Sequence, residues 1–267
     1  MSRIRNHLIA SFALLGAVTA SGAASAQSAI IALTGDNNIA LINPSTMKVS
    51  STVAAKGVKK LHGIDVRPAD GQLYGVTDTG WIVTIDPKTG AVTQKSELAT
   101  KPDAGTTVTV DFNPAADRLR IITTSGQNLR VNVDDGKVTV DGELKFADTD
   151  MHKGEKPNVT AGAYTNSWKG TKETALYDID ATISALFKQA PPNDGVLSSI
   201  GKLGFKITGP IAFNIVSASE GQNAAWLLHG GTMYSVDLAT GAAKEAGKLN
   251  VQGVRDIAWW TGGSSTM

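Results

Sequence analysis

The stretch LHGIDVRP at residues 61–68 opens a series of four short segments, which continues with QLYGV at 72–76, WIVTIDP at 81–87 and AVT at 91–93. The same series returns at residues 108–140, again as apolar segments separated by polar turns. Four short strands joined by turns form one small sheet, and such a sheet cannot bury its apolar face alone. The repetition therefore predicts sheets that stack around a central axis as the blades of a propeller.

Three further units complete the pattern. Two of them cover residues 159–200 and 210–241, and the third is split between the ends of the chain. Its inner strand is predicted at 254–259 and its other three strands within 30–53. Sharing one blade between the two ends leaves no open sheet edge. We therefore predict an all-β fold with one domain at 27–267, a five-bladed β-propeller of four-stranded blades.

Turn residues support this register. The third strand of four units is followed by an Asn or Asp that can bond the backbone two residues on, and a glycine breaks the second strand from the third. These positions are Asn43, Asp86, Asp134 and Asp237 for the first feature, and Gly35, Gly80, Gly126 and Gly231 for the second.

The first 26 residues are predicted to be a signal peptide rather than part of the fold. Arg3 and Arg5 precede an apolar stretch at 8–20, and small residues at 24–26 provide a cleavage site after Ala26. No later segment is predicted to span a membrane, and the chain contains no cysteine. These features predict a periplasmic or secreted protein without disulfides or thiolate chemistry.

The charge balance is close to neutral, with 25 basic and 24 acidic residues. Loss of Arg3 and Arg5 with the leader leaves the mature chain near neutral as well. Nucleic-acid binding requires a basic face, so this composition argues against a nucleic-acid partner. We expect a monomer.

The chain resembles a known family in several blocks. They are residues 61–68, 111–120, 126–132, 164–167 and 176–180. These blocks are similar to the secreted bacterial proteins that carry domain of unknown function 4394, over nearly the whole mature chain. The resemblance implies a propeller-like all-β fold outside the cytoplasm. It implies no activity and no catalytic residue.

One inner-strand position carries polar residues in four of the five units, and each of them lies between apolar neighbours. The position is occupied by Asp65, Asp111, Ala163, Asn214 and Asp256. A carboxylate in such a setting must be paired, hydrogen-bonded or coordinated. Convergence of Asp65, Asp111 and Asp256 in the channel would give an oxygen-ligand site for Ca²⁺ or Mg²⁺. In the alternative, each Asp bonds a neighbouring blade's backbone or side chain. We favour this alternative, and predict no cofactor.

Two other groups are candidates for ligand binding. His62 begins an inner strand three residues before Asp65. Arg118, Arg120 and Arg130 are predicted on adjacent strands of one blade, where they would bind a carboxylate or phosphate, or form a charge ladder across the sheet.

Motifs for serine nucleophiles, phosphate loops and zinc are absent from the sequence. We therefore expect a non-catalytic binding module for a small ligand, a polysaccharide or another protein. The alternative is a metal-dependent hydrolase or lyase with its cation at the channel mouth on the three aspartates.

Overall fold

The computed structural model describes residues 28–249 and 251–261. The predicted signal peptide lies outside these residues. The described chain consists of β-strands and one short 3₁₀ turn, Pro192–Asp194, and contains no α-helix. No helix in this part of the chain is long and apolar enough to span a membrane.

The strands form five sheets, which are the blades of a five-bladed β-propeller. Each blade is numbered from its inner strand outward. Blade 1 contains β4 (Leu61–Val66), β5 (Leu73–Thr77), β6 (Trp81–Ile85) and β7 (Val92–Glu97). Blade 2 contains β8 (Val108–Asn113), β9 (Arg118–Thr123), β10 (Asn128–Val131) and β11 (Val138–Val140).

Blade 3 is larger than the sequence predicted. It contains β13 (Val159–Tyr164), β14 (Leu176–Asp180), β15 (Ala185–Gln189) and β16 (Val196–Lys202). A fifth strand, β12 (Lys145–Phe146), pairs in parallel with β16 at the outer edge. Blade 4 contains β17 (Ile211–Ser219), β18 (Gln222–His229), β19 (Thr232–Val236) and β20 (Ala243–Lys248).

Blade 5 closes the ring and is shared between the two ends of the chain, as predicted. Its inner strand is β21 (Val254–Trp260), followed outward by β1 (Ala29–Thr34), β2 (Asn38–Asn43) and β3 (Lys48–Ala54). β21 contacts the inner strands of blades 4 and 1, so the circle is complete.

The interface between two neighbouring blades is called a seam here and is numbered by its blades. Buried apolar side chains form five clusters, one in each seam. Phe112 fills part of the 1/2 seam and Phe187 part of the 2/3 seam, and both are fully buried. Burial of these faces between blades supplies the main stabilising free energy of the ring.

Most of the turn predictions are confirmed. Asn43, Asp86 and Asp237 each accept hydrogen bonds from backbone N–H groups two and three residues on. The prediction for Asp134 is wrong. In blade 2 the carboxamide of Asn132 bonds the turn instead, which leaves Asp134 available for a side-chain partner in another blade.

Candidate functional site

Asp65 and Asp111 connect the inner strands of neighbouring blades. The Asp65 carboxylate accepts hydrogen bonds from Phe112 N–H at 2.7 Å and from its own neighbour Val66 N–H at 2.7 Å. Asp111 accepts a bond of 2.9 Å from Tyr164 N–H. Both side chains are buried in seams. They hold blade 1 to blade 2 and blade 2 to blade 3.

Asp256 makes the same kind of contact at a different level. Its Oδ2 accepts a bond of 2.8 Å from Ile64 N–H in blade 1. Ile64 precedes Asp65, whereas Phe112 follows Asp111. Asp256 therefore lies two residues nearer the start of its strand than the repeat alignment predicted, and Ala258 takes the fifth equivalent position.

Sheet pairing gives the same result. Asp256 pairs with Leu33 and Val254 with Thr34, so Arg255 bulges out of the ladder. The predicted single ring of carboxylates at one height is therefore wrong. The space for Asp256 comes from Gly63, because a Cβ there would lie 2.8 Å from Asp256 Oδ2.

Burial makes these carboxyl groups weak acids. It raises the pKa of Asp65 to about 7, although the bonds from Phe112 and Val66 oppose the shift. Burial also raises the pKa values of Asp111 and Asp256 well above the ordinary range, and the negative charge of Asp65 adds to both shifts. Within the described ranges no three His, Asp or Glu side chains are grouped to hold a metal ion.

Asn214 occupies the equivalent position in blade 4, as predicted. It is buried and lines a small cavity in the 4/5 seam with Trp226 and Trp259. Ile30 and Ile257 form the apolar part of the same wall. The cavity has room for about one water molecule, so Asn214 is placed for packing rather than for a ligand.

Asp178 was missed by the sequence analysis. It lies on β14 opposite Gly162 and is completely buried in the 2/3 seam. Neither carboxyl oxygen has a hydrogen-bond partner in the described part of the chain. Burial raises the pKa of Asp178 to about 8, and the positive charge of Arg120 only partly opposes this. A carboxyl group with these properties is neutral at pH 7.

Arg120 and Arg130 do not present a free anion site. Arg120 is 3% exposed and donates to Asp141, Asn128, Asn193 and the Tyr164 hydroxyl. Arg130 donates two bonds to the same Asp141 carboxylate. The guanidinium groups are thus already occupied, and Arg120 ties blade 2 to blade 3.

Arg118 is separate from that cluster, and its guanidinium donates to the backbone oxygen of Asp117 at 2.8 Å. The sequence analysis also missed Arg67, which makes the corresponding link in the 1/2 seam. It is buried and bonds the carboxylates of Asp117 and Asp134 with two nitrogens each. The bond from Arg67 holds the pKa of Asp134 below its ordinary value.

His62 lies on the blade face where the inner strands begin. It is half-buried, and its backbone occupies a bulge in the pairing of β4 with β5. Burial and the positive charge of Lys60 lower its pKa, while Asp78 opposes the shift. His62 is therefore a neutral imidazole near pH 7.

A groove of about 650 Å³ opens between blade 5 and blade 1. Three parts of the chain line it: the loop 56–59 after β3, the turn 77–79 after β5, and strands β6 and β7. Trp81, Val83 and Val92 provide the apolar wall. We call this surface the rim groove.

The rim groove carries positive charge. Lys56 and Lys59 line it, and Asp78 is its one acidic residue. In the described part of the chain neither lysine forms a salt bridge. Thr93 and Gln94 add exposed polar side chains. The sequence analysis did not identify this surface, because its residues come from two blades that are adjacent only in the ring.

Comparisons with solved structures identify the fold alone. A protein of unknown function from Bacteroides caccae is 14% identical over 85% of this chain and 75% of its own, with a TM-score of 0.47. A second, from Bacteroides thetaiotaomicron VPI-5482, is 16% identical over 85% and 63%, with a TM-score of 0.53. An auxiliary nutrient binding protein from Bacteroides ovatus ATCC 8483 is 14% identical over 80% and 54%, with a TM-score of 0.46.

No curated protein matches the sequence. A family model does, and it spans residues 23–258, which include all five blades apart from the last residues of β21. The predicted resemblance is thereby confirmed: the chain belongs to the family described as domain of unknown function DUF4394.

Proposed function

We propose that this propeller is a non-catalytic binding module and that the rim groove is its ligand site. The observation that carries the proposal is the contrast between two kinds of charged residue. Buried ionisable groups such as Asp65 and Arg120 bond neighbouring blades. Lys56 and Lys59 line an open groove without a salt bridge.

The shape of the groove supports this proposal. Its volume lies in the range of roughly 300 to 1,000 Å³ that is typical of small-molecule sites. It combines an apolar wall at Trp81 with polar side chains at Thr93 and Gln94. Strands β6 and β7 belong to a closed ring, so the wall is pre-organised, and little conformational entropy is lost on binding.

Ligand screening tests the proposal. The mature protein is heated with a panel of neutral oligosaccharides, acidic oligosaccharides, amino acids and nucleotides, since a bound ligand raises the melting temperature. Ligands that score should lose affinity for the Trp81→Ala and Gln94→Ala variants. Trp168→Ala is the matched control, because Trp168 is half-buried in a loop of blade 3 outside the groove.

Two results would contradict the proposal. One is a ligand whose affinity is the same for wild type, Trp81→Ala and Gln94→Ala. The other is turnover, seen as new products by mass spectrometry after prolonged incubation with a bound compound.

Export is part of the proposal and rests on the sequence of residues 1–26. Mass spectrometry of the periplasmic fraction should find Gln27 as the first residue, with or without cyclisation. A periplasmic product that still carries Arg3 would contradict cleavage after Ala26.

A further inference from the structure

The apolar wall of the rim groove fits a ring-shaped ligand. Trp81 is half-buried and lies beside Val58, Val83 and Val92. A partly exposed indole in a groove offers a flat apolar surface. The C–H face of a pyranose ring packs on such a surface, whereas an extended aliphatic chain would leave much of it in water.

Polar side chains surround this wall. Thr79, Thr93 and Gln94 are exposed and line the same groove. A threonine hydroxyl both donates and accepts, and a glutamine carboxamide supplies donors and an acceptor. This mixture matches the hydroxyl groups of a sugar, each of which is a donor and an acceptor.

The charges select among sugars. Lys56 and Lys59 give the groove two positive charges, against the single negative charge of Asp78. An ammonium group is a compact charge with freely rotating donors, so it binds a carboxylate that can occupy several positions. A neutral sugar would leave both lysines without an anion.

We propose that the rim groove binds acidic oligosaccharides, namely chains of uronic acid residues. Trp81 packs against a sugar ring, Thr93 and Gln94 bond its hydroxyl groups, and Lys56 and Lys59 bind the carboxylates. This inference rests on the proposed function, because it names the ligand class of the same site.

Calorimetry with two probes of equal length tests the inference: tetragalacturonate, which is acidic, and galactotetraose, which is neutral. We expect tighter binding of the acidic probe, and weaker binding as salt rises from low to moderate concentration. The double variant Lys56→Ala/Lys59→Ala should raise the Kd for tetragalacturonate by roughly threefold to tenfold. It should leave the Kd for galactotetraose unchanged.

Thr93→Glu gives a second variant that does not touch the core. Its added negative charge should weaken binding of tetragalacturonate and have little effect on galactotetraose. Lys137→Ala is the matched lysine control, because the Lys137 side chain is 85% exposed and lies in blade 2. It should bind both probes like the wild type.

The outcomes separate this inference from the proposed function. Equal affinity for the two probes would overturn the choice of acidic sugars, and a loss of both in Trp81→Ala would still support the groove as the site. No binding of tetragalacturonate would also overturn the inference. In that case a hit from another compound class that depends on Trp81 would keep the proposed function.

Discussion

Asp256 Oδ2 accepts a hydrogen bond of 2.8 Å from the backbone N–H of Ile64, a residue 192 positions away in the sequence. The bond joins the last inner strand of the chain to the first complete blade. It is one of two side-chain links of this kind at the 5/1 seam, because Arg255 also donates to the backbone oxygen of Leu61 at 2.8 Å. Ring closure therefore depends on side-chain-to-backbone bonds as well as on apolar packing.

Asp256→Ala should destabilise the protein by roughly 1 to 3 kcal/mol, because Ile64 N–H then loses its partner inside the seam. The measurement is the urea midpoint at constant slope. Glu245→Ala is the control, since Glu245 is exposed on the outermost strand of blade 4 and its loss should change stability by less than about 0.5 kcal/mol. Equal midpoints for wild type and Asp256→Ala would show that this bond does not hold the ring closed.

Gly63→Ala tests the same seam from its other side. The new Cβ would lie 2.7 Å from a methyl carbon of Val110 and 2.8 Å from Asp256 Oδ2, so the inner strands must separate. We expect a loss of roughly 1 to 3 kcal/mol, as for overpacked sites. Gly247→Ala is the matched control, because nothing lies within 4 Å of its added Cβ and its backbone φ is not positive. Similar melting temperatures for the two variants would contradict the close approach at Gly63.

Repeated segments in the sequence were sufficient to predict the five blades and the blade shared between the chain ends. They were not sufficient for the register of the last inner strand. Asn214 and Asp256 are separated by a plausible repeat length, yet the bulge at Arg255 shifts Asp256 out of the equivalent position. A bulge inserts one unpaired residue without a clear sequence signal, and it depends on backbone geometry in the neighbouring strand.

The candidate site was harder to predict than the fold. Hydrogen bonds from Asp65 and Asp111 to the next blade follow from a repeated Asp in an apolar strand. Asp178 lies in a similarly apolar segment, but it does not repeat between blades, so it attracted no interpretation. The rim groove depends on Lys56 and Gln94 meeting across a seam, and single-sequence periodicity contains no information on such meetings.

Stability should fall as pH rises from about 5 to about 8. The pKa of Asp178 is raised to about 8 and that of Asp65 to about 7, from an ordinary value of 3.8. Between the ordinary and the raised pKa, the folded protein holds protons that the unfolded chain has released. Raising the pH through this window therefore favours unfolding. The measurement is the melting temperature at several pH values and constant ionic strength.

Asp178→Asn isolates one of these groups. The variant keeps the size of the side chain and removes its titration, so its melting temperature should depend less on pH than that of the wild type. His62 has a lowered pKa and works in the opposite direction, but it is present in both proteins and cancels in the comparison. Parallel pH profiles for wild type and Asp178→Asn would mean that Asp178 titrates normally.

Arg118 and Arg120 are two residues apart in β9 and predict opposite outcomes. Arg120→Ala removes the partner of Tyr164, Asn193 and the buried Asp141, so we expect a loss of roughly 3 to 5 kcal/mol. Arg118→Ala should cost less than about 0.5 kcal/mol, because that guanidinium bonds only nearby backbone oxygens at the surface. Urea unfolding of both variants checks the difference, and Arg120→Lys should recover only part of the loss, since an ammonium cannot replace all the bonds of a planar guanidinium. If Arg118→Ala and Arg120→Ala are equally stable, the Arg120 cluster does not hold blade 2 to blade 3, and a ligand role for its guanidinium would again be open.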